Sequence, residues 1–276
     1  MGDYLRPHRL EEALLALARP HTVLAGGTDF YPARVGRMIE EDVLDISAIP
    51  VLRGISSVST GWRLGATTTW SELLEADLPP LFDGLKQAAR EVGGRQIQNA
   101  GTLAGNLCNA SPAADGVPCL LALDAEMEIA SRVGTRRVPL DQFITGVRRT
   151  VLAPGELVVA LHIPKPVRPA RSAFLKLGAR RYLVISIAMA AATLEIADGR
   201  IAAARIAVGA CSAVAQRLQT LEAALAGAPL DGHLADRVEP SHLAPLAPID
   251  DIRGSAGYRS DSVVVLLRRL LAGFAP

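Results

Sequence analysis

Residues 95–115, Arg-Gln-Ile-Gln-Asn-Ala-Gly-Thr-Leu-Ala-Gly-Asn-Leu-Cys-Asn-Ala-Ser-Pro-Ala-Ala-Asp, constrain this chain more than any other stretch. They combine small residues, amides, hydroxyls and one acid, with no clear strand or helix period. The segment is too polar for plain core and too punctuated by glycine for a helix. It reads as backbone arranged around a ligand. A second glycine-rich turn, Ala25-Gly26-Gly27-Thr28-Asp29, lies far earlier in the chain. Together the two suggest one phosphate-bearing group held from two sides.

A short apolar strand over 21–25 runs into Gly26-Gly27, and Thr28 or Asp29 can cap a helix over 30–38. A strand that stops at two glycines and feeds a helix leaves N–H groups unpaired. Glycine also removes the Cβ that would hold a phosphate at a distance. Thr28 adds a hydroxyl donor, whereas Asp29 would repel a phosphate and suits the capping role. An ordinary tight turn fits the same pattern. The turn is not GxGxxG, and no GxxxxGK[ST] occurs in the chain, which excludes the Rossmann fingerprint and the P-loop. In the later segment Gly101, Ala104 and Gly105 allow close backbone approach, Thr102 and Ser111 offer hydroxyls, and Asn106 offers an amide. Asp115 precedes an apolar run and needs donors if buried; a nucleotide would supply them, and a helix-capping role fits as well.

Around these segments the period changes along the chain. Helices are predicted over 8–18, 70–74 and 81–92, and strands over 43–46, 62–65 and 157–163, with a hairpin joining 126–131 to 136–139. Three prolines within 164–170 mark a boundary. Beyond it, strands are predicted over 172–177, 185–196 and 201–208, with a hairpin turn at Asp198-Gly199, then helices over 212–226 and 261–272. A chain of 276 residues, half of them apolar, is long enough for two modest domains. A net charge of +1 with interspersed signs argues against nucleic acid or a membrane surface as partner. Cys108, Cys119 and Cys211 match no zinc or iron–sulfur spacing and suit a reducing, cytoplasmic compartment. The five histidines likewise show no metal spacing. The N-terminus lacks the apolar core of a signal peptide, and the apolar run 183–194 is too short for membrane insertion.

The motifs and their order resemble the FAD-binding, or medium, subunit of the molybdenum hydroxylases, the group of xanthine dehydrogenase and carbon monoxide dehydrogenase. That family's first loop reads approximately AGGTDL, matched by residues 25–30, and its second QIRNxGTxGGNxxxxxPxxD, matched by 96–115. Phe174-Leu175-Lys176, Arg205-Ile206-Ala207-Val208-Gly209 and the stretch 251–259 match later signatures. The resemblance implies an α+β chain. A p-cresol methylhydroxylase-type FAD-binding fold of two α/β subdomains would occupy 1–166, divided near residue 55. A C-terminal domain over 170–276, a three-stranded antiparallel sheet with helices, would follow.

It also implies a set of contacts. Val23, Leu24, Ala25, Gly26, Gly27, Thr28, Asp29 and Phe30 would lie along the FAD pyrophosphate. Thr102, Ala104, Gly105 and Asn106 would form the second loop, with Ser111 and Asp115 near the adenosine-diphosphate and flavin portions. Val158 and Lys176 would lie on the flavin side, where a cation near the N1–O2 edge stabilises the anionic reduced ring; Lys176 also reads as an ordinary strand lysine. No side chain is expected to act as a catalytic acid or base, and none to bind a metal. Electrons would come from [2Fe-2S] clusters on a small partner subunit, after oxidation at a molybdopterin centre on a large one, and leave to NAD+ or another soluble acceptor. A stand-alone flavin oxidase or reductase of the same fold, or a non-enzymatic FAD-binding assembly module, are the alternatives. Two positions depart from the family pattern: Ala104 stands where Gly is usual, and Val184 where many relatives carry an acid.

Overall fold

Residues 2–275 are described by the structure, a computed structural model. The first sheet is small and parallel: Val43–Asp45 lies between Tyr4–Leu5 and Thr22–Leu24. The helix Leu10–Ala16 crosses it and buries Ala13 and, just past its end, Leu17 against Leu44, Ile46, Ile49 and Leu52. The second sheet is antiparallel, in the order Ile55–Val58, Gly61–Gly65, Leu157–Pro164, Glu126–Ser131, Gly134–Pro139. Its central strand, Leu157–Pro164, has a register shift between Val158 and Ala160. Because facing alternates strictly along a strand, one extra residue swaps the two faces. Leu157 and Val159 therefore pack toward the small sheet, while Val158, Leu161 and Ile163 join the larger core. That core is filled by the helices Trp70–Glu75, Asp83–Glu91, Leu103–Cys108 and Gly116–Ala122, with Trp70, Phe82, Leu85, Leu107 and Leu120 fully buried.

The third sheet orders Ala170–Leu177, Ala188–Ala197, Arg200–Gly209 and Gln216–Arg217 antiparallel. Its hairpin turns at Asp198 and Gly199, both at positive φ, as the sequence predicts. Strand alternation again divides two cores. Met189 and Ala191 meet the helices of the preceding half, while Ala188, Ala190, Ala192 and Leu194 meet Leu221, Leu225, Val263 and Leu267.

Four predicted elements differ from those found. The helix over 30–38 is a single 3-10 turn, Pro32–Arg34, because Pro32 removes a donor and Gly36 takes φ +74°. Segment 95–115, read as non-helical, holds two short helices, Arg95–Ala100 and Leu103–Cys108, divided by Gly101. The helix over 212–226 shrinks to Gln219–Leu225, since Gln216–Arg217 adds a fourth strand to the sheet. The last helix begins earlier, at Ala256, because the Ser255 hydroxyl accepts the Tyr258 N–H at 3.2 Å.

The 251–259 signature acquires a physical role as a clasp. Arg259 is 3% exposed and donates to the carbonyls of Ile187 and Ala210 and to Asp251 at 2.7 Å. The Arg253 N–H, at 2.7 Å, and then the Arg259 and Arg253 guanidiniums hold the Asp251 carboxyl down to about 2. A carboxyl depressed on folding stabilises the fold above its ordinary value of 3.8 and loses that contribution as pH falls toward about 2. We therefore expect Asp251→Asn to be less stable than the parent in urea unfolding at pH 7, with the difference shrinking steadily below pH 4.

Candidate cofactor site

The two glycine segments come together. Thr69 and Thr102 form an isolated bridge, Trp70 N–H donates to Gly101 O at 3.2 Å, and Leu103 N–H donates to Thr68 O at 3.0 Å. This crossing starts two helices side by side. The Thr69 hydroxyl and Glu72 form a capping box on one, and the Thr102 hydroxyl accepts the Gly105 N–H on the other at 3.1 Å. The first loop lies directly against the second: a Cβ on Gly26 would collide with the Ala100 carbonyl. Gly27 takes φ +70°, and a Cβ there would sit 2.6 Å from the Tyr31 ring. The glycines are thus required by loop packing and backbone conformation, where the sequence alone suggested close approach of a phosphate. A valine at Gly27 would report strain rather than ligand loss.

Between the loops and the central strand lies a cleft of about 690 Å³, within the roughly 300–1,000 Å³ typical of cofactor sites. Val23 through Phe30, Thr102, Ala104, Gly105, Asn106 and Val158 all line it. Val158 reaches it through the bulge, and the methyl of Ala104 is accommodated in the helix Leu103–Cys108. Asp29 is exposed on the cleft wall; its side chain caps no helix, contrary to the sequence expectation. Sequence reasoning missed Trp70, Ile97, Arg34, Arg148 and Glu156, which also line the cleft. Arg34 is paired with Glu41 and stacks 3.8 Å from the Phe30 ring centre. Arg148 sits at φ +57° on the hairpin between Ile144–Gly146 and Arg149–Thr150, and donates to Asn109. Only the fold brings that hairpin beside residue 109.

Two observations fit a dinucleotide. No hydrogen bond among the described residues engages the N–H of Gly26, Gly27 or Thr28, a run of donors suited to pyrophosphate oxygens. Asn106 Oδ1 is buried with no partner, an acceptor suited to a hydroxyl or N–H of the ligand.

Ser111, Asp115 and Lys176 are not among the residues that line this cleft. The Ser111 hydroxyl accepts the Ala113 N–H within its own turn. Asp115 leads into the helix Gly116–Ala122 without capping it. Its carboxylate accepts the Lys176 ammonium at 2.7 Å and the Ser186 hydroxyl at 2.6 Å, and Lys176 also reaches the Val184 carbonyl at 3.4 Å. Burial pushes the Asp115 carboxyl up, opposed by Lys176 and Ser186. The cation and the acid thus neutralise each other and fasten the segment after the strand Ala170–Leu177.

We expect Asn106→Leu to leave the thermal unfolding of the apo chain near that of the parent, since the amide oxygen has no partner to lose. Flavin affinity should fall about five- to a hundredfold, the range of one lost buried hydrogen bond. Fluorescence titration with FAD measures it. Lys176→Met should cost about 3–5 kcal/mol by leaving Asp115 unpaired, and adding Asp115→Leu should restore most of it; urea unfolding reads both.

The FAD binding domain in molybdopterin dehydrogenase matches residues 1–166, and the CO dehydrogenase flavoprotein C-terminal domain matches 173–273. The putative xanthine dehydrogenase FAD-binding subunit XdhB of Escherichia coli K12 is 31% identical, over 99% of this chain and 96% of its own length. The nicotine 6-hydroxylase medium subunit of Paenarthrobacter nicotinovorans is 30% identical over 97% and 95%. Reconstituted CO dehydrogenase from Oligotropha carboxidovorans superposes with a TM-score of 0.89 at 28% identity, over 100% of this chain and 99% of the other. Two glycine loops, a cleft of cofactor size and these likenesses along the whole chain lead to one assignment: the chain belongs to the FAD-binding subunits of the molybdenum hydroxylase family, and its cofactor is FAD.

Proposed function

We propose that this chain is the electron-transfer flavoprotein of a multi-subunit molybdenum hydroxylase. Its FAD would accept electrons from iron–sulfur clusters on a small partner subunit and pass them to NAD+ or another soluble acceptor. Substrate oxidation would occur at a molybdopterin centre on a large partner. The observation that carries this reading is the character of the cleft's ionisable groups. Arg34 is neutralised by Glu41, Glu156 is held by Arg136 at 2.7 Å, Arg148 is tied to Asn109, and Asp29 is exposed. Of the two carboxylates Glu156 is held by Arg136, and Asp29 takes no side-chain hydrogen bond among the described residues, so neither is oriented by a partner as a general base is. Desolvation by the surrounding protein pushes the thiol of Cys108, which also lines the cleft, up to about 12. FAD, when bound, supplies the exchange between single electrons and hydride equivalents.

The protein's own share is holding and tuning. The N–H groups of Gly26, Gly27 and Thr28 would hold the pyrophosphate, and Asn106 would accept from a hydroxyl or ring N–H. Val158, Trp70 and Ile97 would give the flavin an apolar bed and limit water beside it. We place the domain division within 166–170, where the proline-rich link leads into the third sheet. Among the described residues no group of three or more metal-ligating side chains converges, and no helix is long and apolar enough to cross a membrane. Three free cysteines suit the cytoplasm.

Purification with native partners, followed by their mass identification and an acceptor screen, tests the proposal. We expect a yellow chain with iron–sulfur and molybdopterin partners, whose flavin is reduced anaerobically by NADH. A chain that turns over a substrate alone, with no such partners, would establish the stand-alone oxidase or reductase instead. A colourless chain that takes up no FAD would defeat both.

A further inference from the structure

The strand Ala170–Leu177 is the edge of the third sheet, and only half of that edge is covered. The helix Asp83–Glu91 covers the first half. Gly84 N–H donates to the Ser172 hydroxyl at 2.8 Å, that hydroxyl donates to Leu81 O, and the Phe174 N–H donates to Gln87 Oε1 at 2.7 Å. These bonds identify the outward parity of the strand as Ser172, Phe174 and Lys176. The next outward groups, the Phe174 carbonyl and the Lys176 N–H and carbonyl, have no partner among the described residues. They open into a groove of about 690 Å³ between the ends of two helices and the loop after the strand.

The groove is strongly basic. Arg90, Arg180, Arg181 and Arg269 line it with Glu91 as the sole acid, and none of the five takes part in a salt bridge among the described residues. The Arg180 guanidinium instead folds back on the carbonyls of Tyr182 and Leu183. Leu175, Leu177 and Leu270 supply apolar surface between the arginines.

We propose that this groove receives an extended acidic segment of a partner subunit, added as a strand along Phe174–Lys176; this rests on the multi-subunit reading above. An unpaired strand edge is a template for another strand. Alternate side chains of an added strand point to opposite sides, and arginines stand on both, Arg90 on the helix packed against Phe174 and Arg269 beside Leu270 on the last helix, so acids on either face would meet a guanidinium. A free nucleotide would use the guanidiniums but has no use for the strand edge.

The test uses the FAD-loaded full chain and amide hydrogen exchange, with the octapeptide (Glu-Val)4 as probe and (Lys-Val)4 and inorganic pyrophosphate as controls. The acidic peptide should slow exchange at Lys176 and its neighbours, and the effect should fade at about 0.5 M salt, where screening is short-ranged. Arg90→Glu combined with Arg269→Glu should weaken binding at least about tenfold. In the complex with native partners the same amides should be protected. Equal protection by (Lys-Val)4, no protection by any probe, or protection by pyrophosphate alone would overturn the proposal, the last pointing to a nucleotide phosphate site. Flavin content, read in parallel, separates these outcomes from failure of the cofactor assignment: the double variant should keep it.

Discussion

The crossing of the two glycine segments is the constraint from which the rest of the site follows. Gly26 lies so close to the Ala100 carbonyl that no side chain fits between them. The bridge of Thr69 with Thr102 then fixes where two helices begin. Because both loops are anchored to each other, the N–H groups of Gly26, Gly27 and Thr28 are left pointing away from any internal acceptor. Preorganisation of this kind means that a bound dinucleotide need not spend its interactions on ordering the loops. Glycine here does more than admit a ligand; it lets two pieces of backbone share one volume.

Two buried cations organise the opposite end of the chain. Lys176, with Asp115, grips the Val184 carbonyl, and Arg259, with Asp251, grips the Ile187 carbonyl. Between them Ser186 bonds to Asp115. The irregular segment between two strands of the third sheet is thus stitched to the helix Gly116–Ala122 and to the last helix. Each cation is compensated by one carboxylate and donates to main-chain carbonyls as well, the pairing that lets a charge be buried, although Arg259 Nε is buried without a partner among the described residues. The absence of an acid at Val184 costs the clamp nothing, because Lys176 uses that residue's carbonyl.

These two features divide the labour of an FAD-binding subunit between holding the cofactor and holding the fold. The cleft presents hydrogen-bond donors, one orphaned acceptor and apolar walls, with Arg34 and Glu156 compensated by opposite charges. Such a cleft holds a redox cofactor and leaves the chemistry to it. The likeness to the xanthine dehydrogenase FAD-binding subunit, the nicotine 6-hydroxylase medium subunit and the carbon monoxide dehydrogenase medium chain runs along the whole chain.

Local pattern determined much of this protein. Period and turn chemistry placed the strands, the Asp198-Gly199 hairpin and the core faces, because those depend on residues close in sequence. The two motifs marked the loops now found lining the cleft. Other features depended on contacts across long separations, which no local window contains. Arg148 enters the cleft on a hairpin that docks against Asn109, and Val158 faces it because a bulge inverts the central strand. The helix expected over 30–38 failed at Pro32 and Gly36, a local signal outweighed by apolar spacing. Lys176 and Asp115 were legible as important residues, but their meeting was not. A sequence shows which groups carry charge; only the tertiary fold decides whether each faces a ligand or another buried charge.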